Sequence, residues 1–412
     1  MTKDLVKFWV PILTLCIALI LGINTLILQP MNADQEIKNQ IHTQWTIATN
    51  YENNGQYDSE VVVLNKIFER ISKEKFPYEY AETQSYLGVA YGKLSDNKDP
   101  KVNILNSIKS FNEALTIFNI NNYPNEFLIT EYNLGTAYAK LSEFLDRRNN
   151  LESSINAFNT ALAGCNEYNC PEFYWRLVIN LGNSYKNLGE VENKTDNFEK
   201  ARNQYLNALN YYTRKRDSYQ YARILLNYAP VALCYDNQTS VINEALSIFT
   251  PELYPEDYAM AQMVFGTLYK NKDVIDPESI ENAIIADKSA LSIFTIEKYP
   301  IRYATAENNL GGAYFCLGLA RDKETNLEKG LNAYNNALKI RTIDQYPLDY
   351  AQTQMNIGLI YTGLGDVKNN LTHRQNAETA FREAFKIYDP ERYPNDYEKL
   401  RSNYEKFRNL TS

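Results

Sequence analysis

Histidine is almost missing: only His42 and His373 occur in 412 residues, 331 positions apart. Imidazole acid–base catalysis and His-based metal sites therefore have almost no candidates, and both residues read as surface or interface positions. Five cysteines are too few for a disulfide scaffold. No phosphate-binding glycine loop, HExxH, GxSxG, EF-hand run or paired CxxC occurs, so no motif licenses an enzyme, and no catalytic residue, cofactor, metal or small-molecule substrate is expected. Positive charge is in deficit, with 42 Lys+Arg against 50 Asp+Glu and a formal net charge of −8, which argues against coating nucleic acid. A hydrophobic content of 44% excludes disorder as the main state. Abundance lies elsewhere, in 33 Tyr and 48 Asn.

One segment lacks charge altogether. From Phe8 to Leu28 the chain runs 21 residues without Asp, Glu, Lys or Arg, a length that reaches about 30 Å as a helix and matches a bilayer core. Pro11 falls in the first turn, where its missing N–H costs little, and Asn24 and Thr25 fall near the far interface. Lys3 and Lys7 precede the span and no Lys or Arg follows until Lys38. The positive-inside rule then predicts a cytoplasmic N-terminus, an uncleaved anchor at 8–28 in the cell membrane and an extracytoplasmic remainder. A cleaved signal peptide is the rival reading, but Pro30-Met31-Asn32-Ala33 supplies no A-x-A-like site. A lipoprotein signal at Leu13–Cys16 is poorer still, because Leu15 is large where a small residue is needed.

Beyond residue 34 the sequence repeats. An aromatic-Pro dipeptide recurs at Phe76-Pro77, Tyr123-Pro124, Tyr254-Pro255, Tyr299-Pro300, Tyr346-Pro347 and Tyr393-Pro394, with Cys170-Pro171 and Ser218 in the same slot; the spacings are 47, 47, 47, 37, 45, 47 and 47. Ten or eleven residues after each Pro comes L-G-x-x-Y, as Leu87-Gly88-Tyr91, Leu134-Gly135-Tyr138, Leu181-Gly182-Tyr185 and Leu310-Gly311-Tyr314, with variants at Phe265-Gly266 and Ile357-Gly358. Later in five of the units an aromatic precedes Ala-Leu or Ala-Phe by three, at Phe111, Phe158, Tyr205, Tyr334 and Phe381. Two helix-period apolar stripes per unit, split by polar stretches such as Ser95–Pro100, predict helical hairpins. Small residues would sit where paired backbones approach, with aromatics filling the spaces between hairpins.

These residues resemble the tetratricopeptide repeat, W-x2-L-G-x2-Y…A-x3-F…P, in a prokaryotic long-repeat variant with a 47-residue period. The resemblance covers about residues 34–412 and implies an all-α fold, a right-handed α-solenoid of stacked hairpins. It departs from the 34-residue pattern in length, since 26 residues separate Gly88 from Ala114. The expected organisation is a cytoplasmic stretch 1–7, a transmembrane helix 8–28, a linker 29–33, an N-terminal hairpin 34–75 turning at Gly55, seven repeats over 76–394 and a capping helix 395–412. The unit 218–254 is degenerate, with Ala229-Pro230 in place of the glycine, and predicts a kinked hairpin. Some families with this repeat carry a caspase-like protease after the array; none is expected here.

Cys165 and Cys170 form a possible disulfide if the domain is extracytoplasmic, whereas Cys234 and Cys316 read as packing residues. Four N-x-S/T sequons, at Asn193, Asn237, Asn370 and Asn409, are no more than an Asn-rich composition supplies by chance. The Asn before the signature Leu, at Asn133, Asn180, Asn309 and Asn356 with Asn227 in the degenerate unit, reads as a helix-to-helix hydrogen bond, and the Tyr stripe as interhelical packing.

In proteins it resembles, the first helix of each hairpin lines a concave groove. Carrying that register along gives Lys93, Tyr132, Lys140, Asn183, Lys186, Asn187, Lys270 and Asn308 as candidate groove residues. Lysines and amides with few acids suit an extended or helical peptide with some negative charge; a solvated face without a fixed ligand is the rival. The lysine-and-asparagine set that clamps a C-terminal carboxylate in some family members is not reproduced. The expected function is a membrane-tethered scaffold that binds a protein or peptide partner, the alternative being an assembly protein that self-associates through its solenoid.

Overall fold

The computed structural model describes residues 29–233, 235–270, 276–368 and 371–411. The span expected at 8–28 lies outside them; among the described residues no helix is long and apolar enough to cross a membrane. Seventeen α-helices and one short 3₁₀ turn, with no strand, make up the described residues. The described residues divide into two compact units, the first ending at Thr130 and the second beginning at Glu131.

In the first unit α1 (Gln29–Asn53) and α2 (Tyr57–Ile67) form the N-terminal hairpin. Gly55 turns the chain at φ 69°, a backbone that favours glycine. The expected linker 29–33 is instead the first turns of α1, since nothing in Gln29–Ala33 other than Pro30, tolerated in a first turn, opposes a helix. Then come α3 (Pro77–Leu94), α4 (Pro100–Leu115) and the start of α5 (Pro124–Leu141). Ile41, Trp45, Leu64, Ile67, Phe76 and Leu87 form the core of α1 to α3, and the Trp45 indole donates to Thr83 Oγ1 at 3.0 Å.

The second unit continues with α6 (Arg147–Gly164), α7 (Pro171–Gly189), α8 (Lys194–Tyr211), α9 (Ser218–Tyr228), α10 (Tyr235–Leu246), α11 (Pro255–Lys270), α12 (Pro277–Leu291), α13 (Pro300–Ala320), α14 (Lys323–Leu338), α15 (Pro347–Lys368), α16 (Leu371–Phe385) and α17 (Pro394–Thr411). Consecutive helices pair as hairpins. Each proline of the recurring dipeptide occupies the first helical position, where its fixed φ fits and no amide is missed. At the degenerate unit α9 ends at Tyr228 and passes into a 3₁₀ turn over Ala229–Val231, because Pro230 cannot donate to a continuing helix.

Four second helices begin alike. Asp99, Asp146, Asn193 and Asp322 take left-handed φ of 40° to 46°, and the Asn four residues on bonds back to the carbonyl before that residue: Asn103 to Lys98, Asn150 to Leu145, Asn197 to Glu192 and Asn326 to Arg321. Short polar side chains tolerate this conformation best among non-glycine residues. The D/N-x-x-x-N spacing thus encodes the extended loop inside these four hairpins.

Candidate functional site

The first helices α5, α7 and α9 together build a cavity of about 270 Å³, lined by Tyr132, Arg176, Ile179, Asn180, Asn183, Gln220, Arg223, Ile224 and Asn227. Its polar lining holds two guanidinium groups, four amides and a phenol, and no carboxylate. The Arg176 guanidinium lies 4.9 Å from the centre of the Tyr132 ring and donates to its hydroxyl at 3.2 Å. Asn180 Nδ2 donates to the same oxygen at 3.0 Å, so the signature Asn ties one first helix to the preceding one while facing the cavity. Asn183 accepts from Tyr205 Oη at 2.7 Å and donates to Asn180 at 3.4 Å. Burial pushes the Tyr205 phenol far up, so its proton stays in place as the donor to Asn183. Arg223 stands 5.8 Å from the Tyr219 ring.

Guanidinium planes braced on aromatic faces lose little freedom on meeting a carboxylate, and they present paired donors to it. The amides add donors and acceptors of the kind a peptide backbone uses. Among the described residues no cluster of three or more His, Cys, Asp or Glu could hold a metal.

The sequence-predicted residues scatter over this face and beyond it. Tyr132 and Asn183 line the cavity. Asn187, one turn further along α7, lines a second cavity of about 360 Å³ with Ser142, Arg147, Arg341, Gln352 and Tyr393. Lys186 is half-buried, and desolvation lowers its pKa. Lys140 is half-buried on α5, Lys93 is exposed on α3 in the first unit, and Asn308 accepts from Thr353 at 3.2 Å on α13. Lys270 ends α11, and its side chain lies outside the described residues. Cys165 and Cys170 are bonded to each other with Cα atoms 6.1 Å apart. Sequence reasoning missed Arg176 and Arg223, although the signal was there: they stand 47 residues apart, one turn before Asn180 and Asn227.

Fold and face define an all-helical, hairpin-repeat protein. A protein of this class matches it among solved structures: the C-terminal part of a TPR repeat-containing protein from Cytophaga hutchinsonii, at 13% identity and a TM-score of 0.35, over 72% of this chain and 94% of that one. Yeast Tom70 matches at 11% identity and a TM-score of 0.27, over 90% and 97%. No family model and no curated protein matches the chain. With likenesses this slight, the class rests on the chain's own hairpin geometry.

Proposed function

We propose that this chain is a membrane-tethered scaffold whose first helices hold an acidic peptide segment of a protein partner. The observation that carries the reading is the cavity between Tyr132, Arg176 and Arg223, which offers cations and amides and no acid in a chain of net charge −8. The tether rests on the uncharged run 8–28 and the lysines before it. Self-association through the solenoid is the second reading; Leu233 and Leu253, 75% and 71% exposed, give it apolar surface.

Proximity labelling from a C-terminal tag on the full-length protein, beside Arg176→Glu with Arg223→Glu, separates the two. Extracytoplasmic partners lost in the variant support the scaffold and its face. A labelling profile indifferent to the variant removes the face, and one confined to cytoplasmic proteins overturns the topology.

A further inference from the structure

The second unit closes on itself. Asn395, at the start of α17, donates its side-chain amide to the Val191 carbonyl, 204 residues away in the chain. The Phe144 ring, in the loop after α5, lies 5.6 Å from the ring of Tyr346 before α15. Arg147 pairs with Glu190 at 2.7 Å, and its charge also acts on Asp396 and Tyr388. Tyr393 lines a shared cavity with Asp146 and Arg147. Its burial is the telling detail: the matching tyrosines Tyr123, Tyr254, Tyr299 and Tyr346 are half-buried, whereas Tyr393 is 9% exposed. Phe144 is likewise 7% exposed in a loop whose counterpart 47 residues earlier is the exposed Asn97.

The ends of first helices α5 and α7 therefore abut the beginnings of α13, α15 and α17, with the second cavity lying along that seam. Asn183 faces the cationic cavity and Asn187 the seam cavity, one turn apart on α7, so the face that carries the cations runs up to the seam. One ring pair, one amide bond and a solvent-facing ion pair are each weak, and together they suit a contact that opens and recloses.

We infer that residues 144–147, 190–191 and 393–396 form a latch that closes the cation-bearing face of the second unit, so that a bulky partner segment reaches it only when the latch opens. The inference rests on the proposed role of that face for its biological use, but its test does not. The full chain is treated separately with a small amine reagent, the N-hydroxysuccinimide ester of acetic acid, and with a bulky sulfonated-dye ester. Labelling of half-buried Lys186 is then compared with labelling of exposed Lys93 by mass spectrometry.

The dye is expected to modify Lys186 about tenfold more slowly than Lys93 in the wild type, relative to the small reagent, and about threefold or more faster in Phe144→Ala with Asn395→Ala. Asn395→Ala alone removes the amide link to Val191, keeps the Phe144 packing, and is expected to shift the ratio the same way. Equal dye labelling of Lys186 and Lys93 in the wild type, or a ratio unmoved in both folded variants, overturns the latch. A fluorescein-labelled hexaglutamate peptide, added in parallel, is expected to associate several-fold faster with the latch variants. If it binds neither protein while the labelling ratios shift as expected, the face reading fails and the latch stands.

Discussion

Gly135 and Phe158 are fitted to one another: a methyl group on Gly135 would lie 2.8 Å from Cε1 of the Phe158 ring, closer than side-chain carbons pack. The same spacing of 23 residues joins Gly182 to Tyr205, Gly311 to Tyr334 and Gly358 to Phe381 in the second unit, and Gly88 to Phe111 in the first. The recurrent glycine serves close approach, letting the aromatic edge of the second helix lie on the backbone of the first. Both residue types must then change together or not at all.

Gly135→Ala is expected to destabilise by about 1–3 kcal/mol through overpacking, against the roughly 1 kcal/mol that alanine gains in helix propensity. Gly92→Ala, where the nearest atom is Ser107 Oγ at 3.4 Å, is expected to be neutral or stabilising. Urea midpoints of the two variants against wild type check the contrast.

Asn326→Ala removes the bond to the Arg321 carbonyl, 2.9 Å long, that steadies the left-handed Asp322. A loss of about 1–2 kcal/mol is expected. Asp322→Gly should hold or raise stability, because glycine adopts this φ without strain. Thermal unfolding of the two variants measures the opposed signs.

The hairpins and their starts were legible in the sequence because they are local. Pro77, Pro124, Pro171, Pro255, Pro300, Pro347 and Pro394 each open a first helix, and Leu-Gly-x-x-Tyr marks the close approach. The left-handed Asp/Asn residues were equally local, but their signature straddles the end of a loop read only as polar and the first turns of the next helix, where the Asn four positions on lies. The latch was not legible, since Asn395 and Val191 meet only through the accumulated rotation of the intervening hairpins. Arg176 and Arg223 escaped for a related reason: the register chosen for the groove began one turn too late on each first helix.

Glu60 is 1% exposed, and among the described residues its Oε2 has no hydrogen-bond partner. Burial first, and the charge of Glu52 second, push its pKa from 4.5 up to about 7. A folded pKa above the unfolded one means that its contribution to stability is complete below pH 4.5 and is lost as pH rises through 7. The first unit is therefore expected to lose about 3 kcal/mol between pH 4.5 and pH 8 from this group, and Glu60→Gln to flatten that dependence. Hydrogen exchange of α2 at the two pH values, in both proteins, checks the sign. Glu131, raised to about 7 by burial alone, acts in the same direction in the second unit.

The Cys165–Cys170 bond closes a short loop between α6 and α7. Replacing both by serine is expected to cost about 2 kcal/mol on the chain-entropy account. Intact-mass measurement before and after reduction, on protein taken from its native compartment, should show the gain of two hydrogens that an intact Cys165–Cys170 bond requires.

On the proposed reading, Arg176 and Arg223 receive acidic groups of a partner. Its most direct test is fluorescence anisotropy of fluorescein-labelled hexaglutamate titrated with the detergent-solubilised full chain, beside Arg176→Glu with Arg223→Glu. Saturable binding is expected, falling as salt rises and weakened about tenfold or more in the variant. A peptide that binds both proteins equally, or neither, would show that these arginines do not receive the acidic segment.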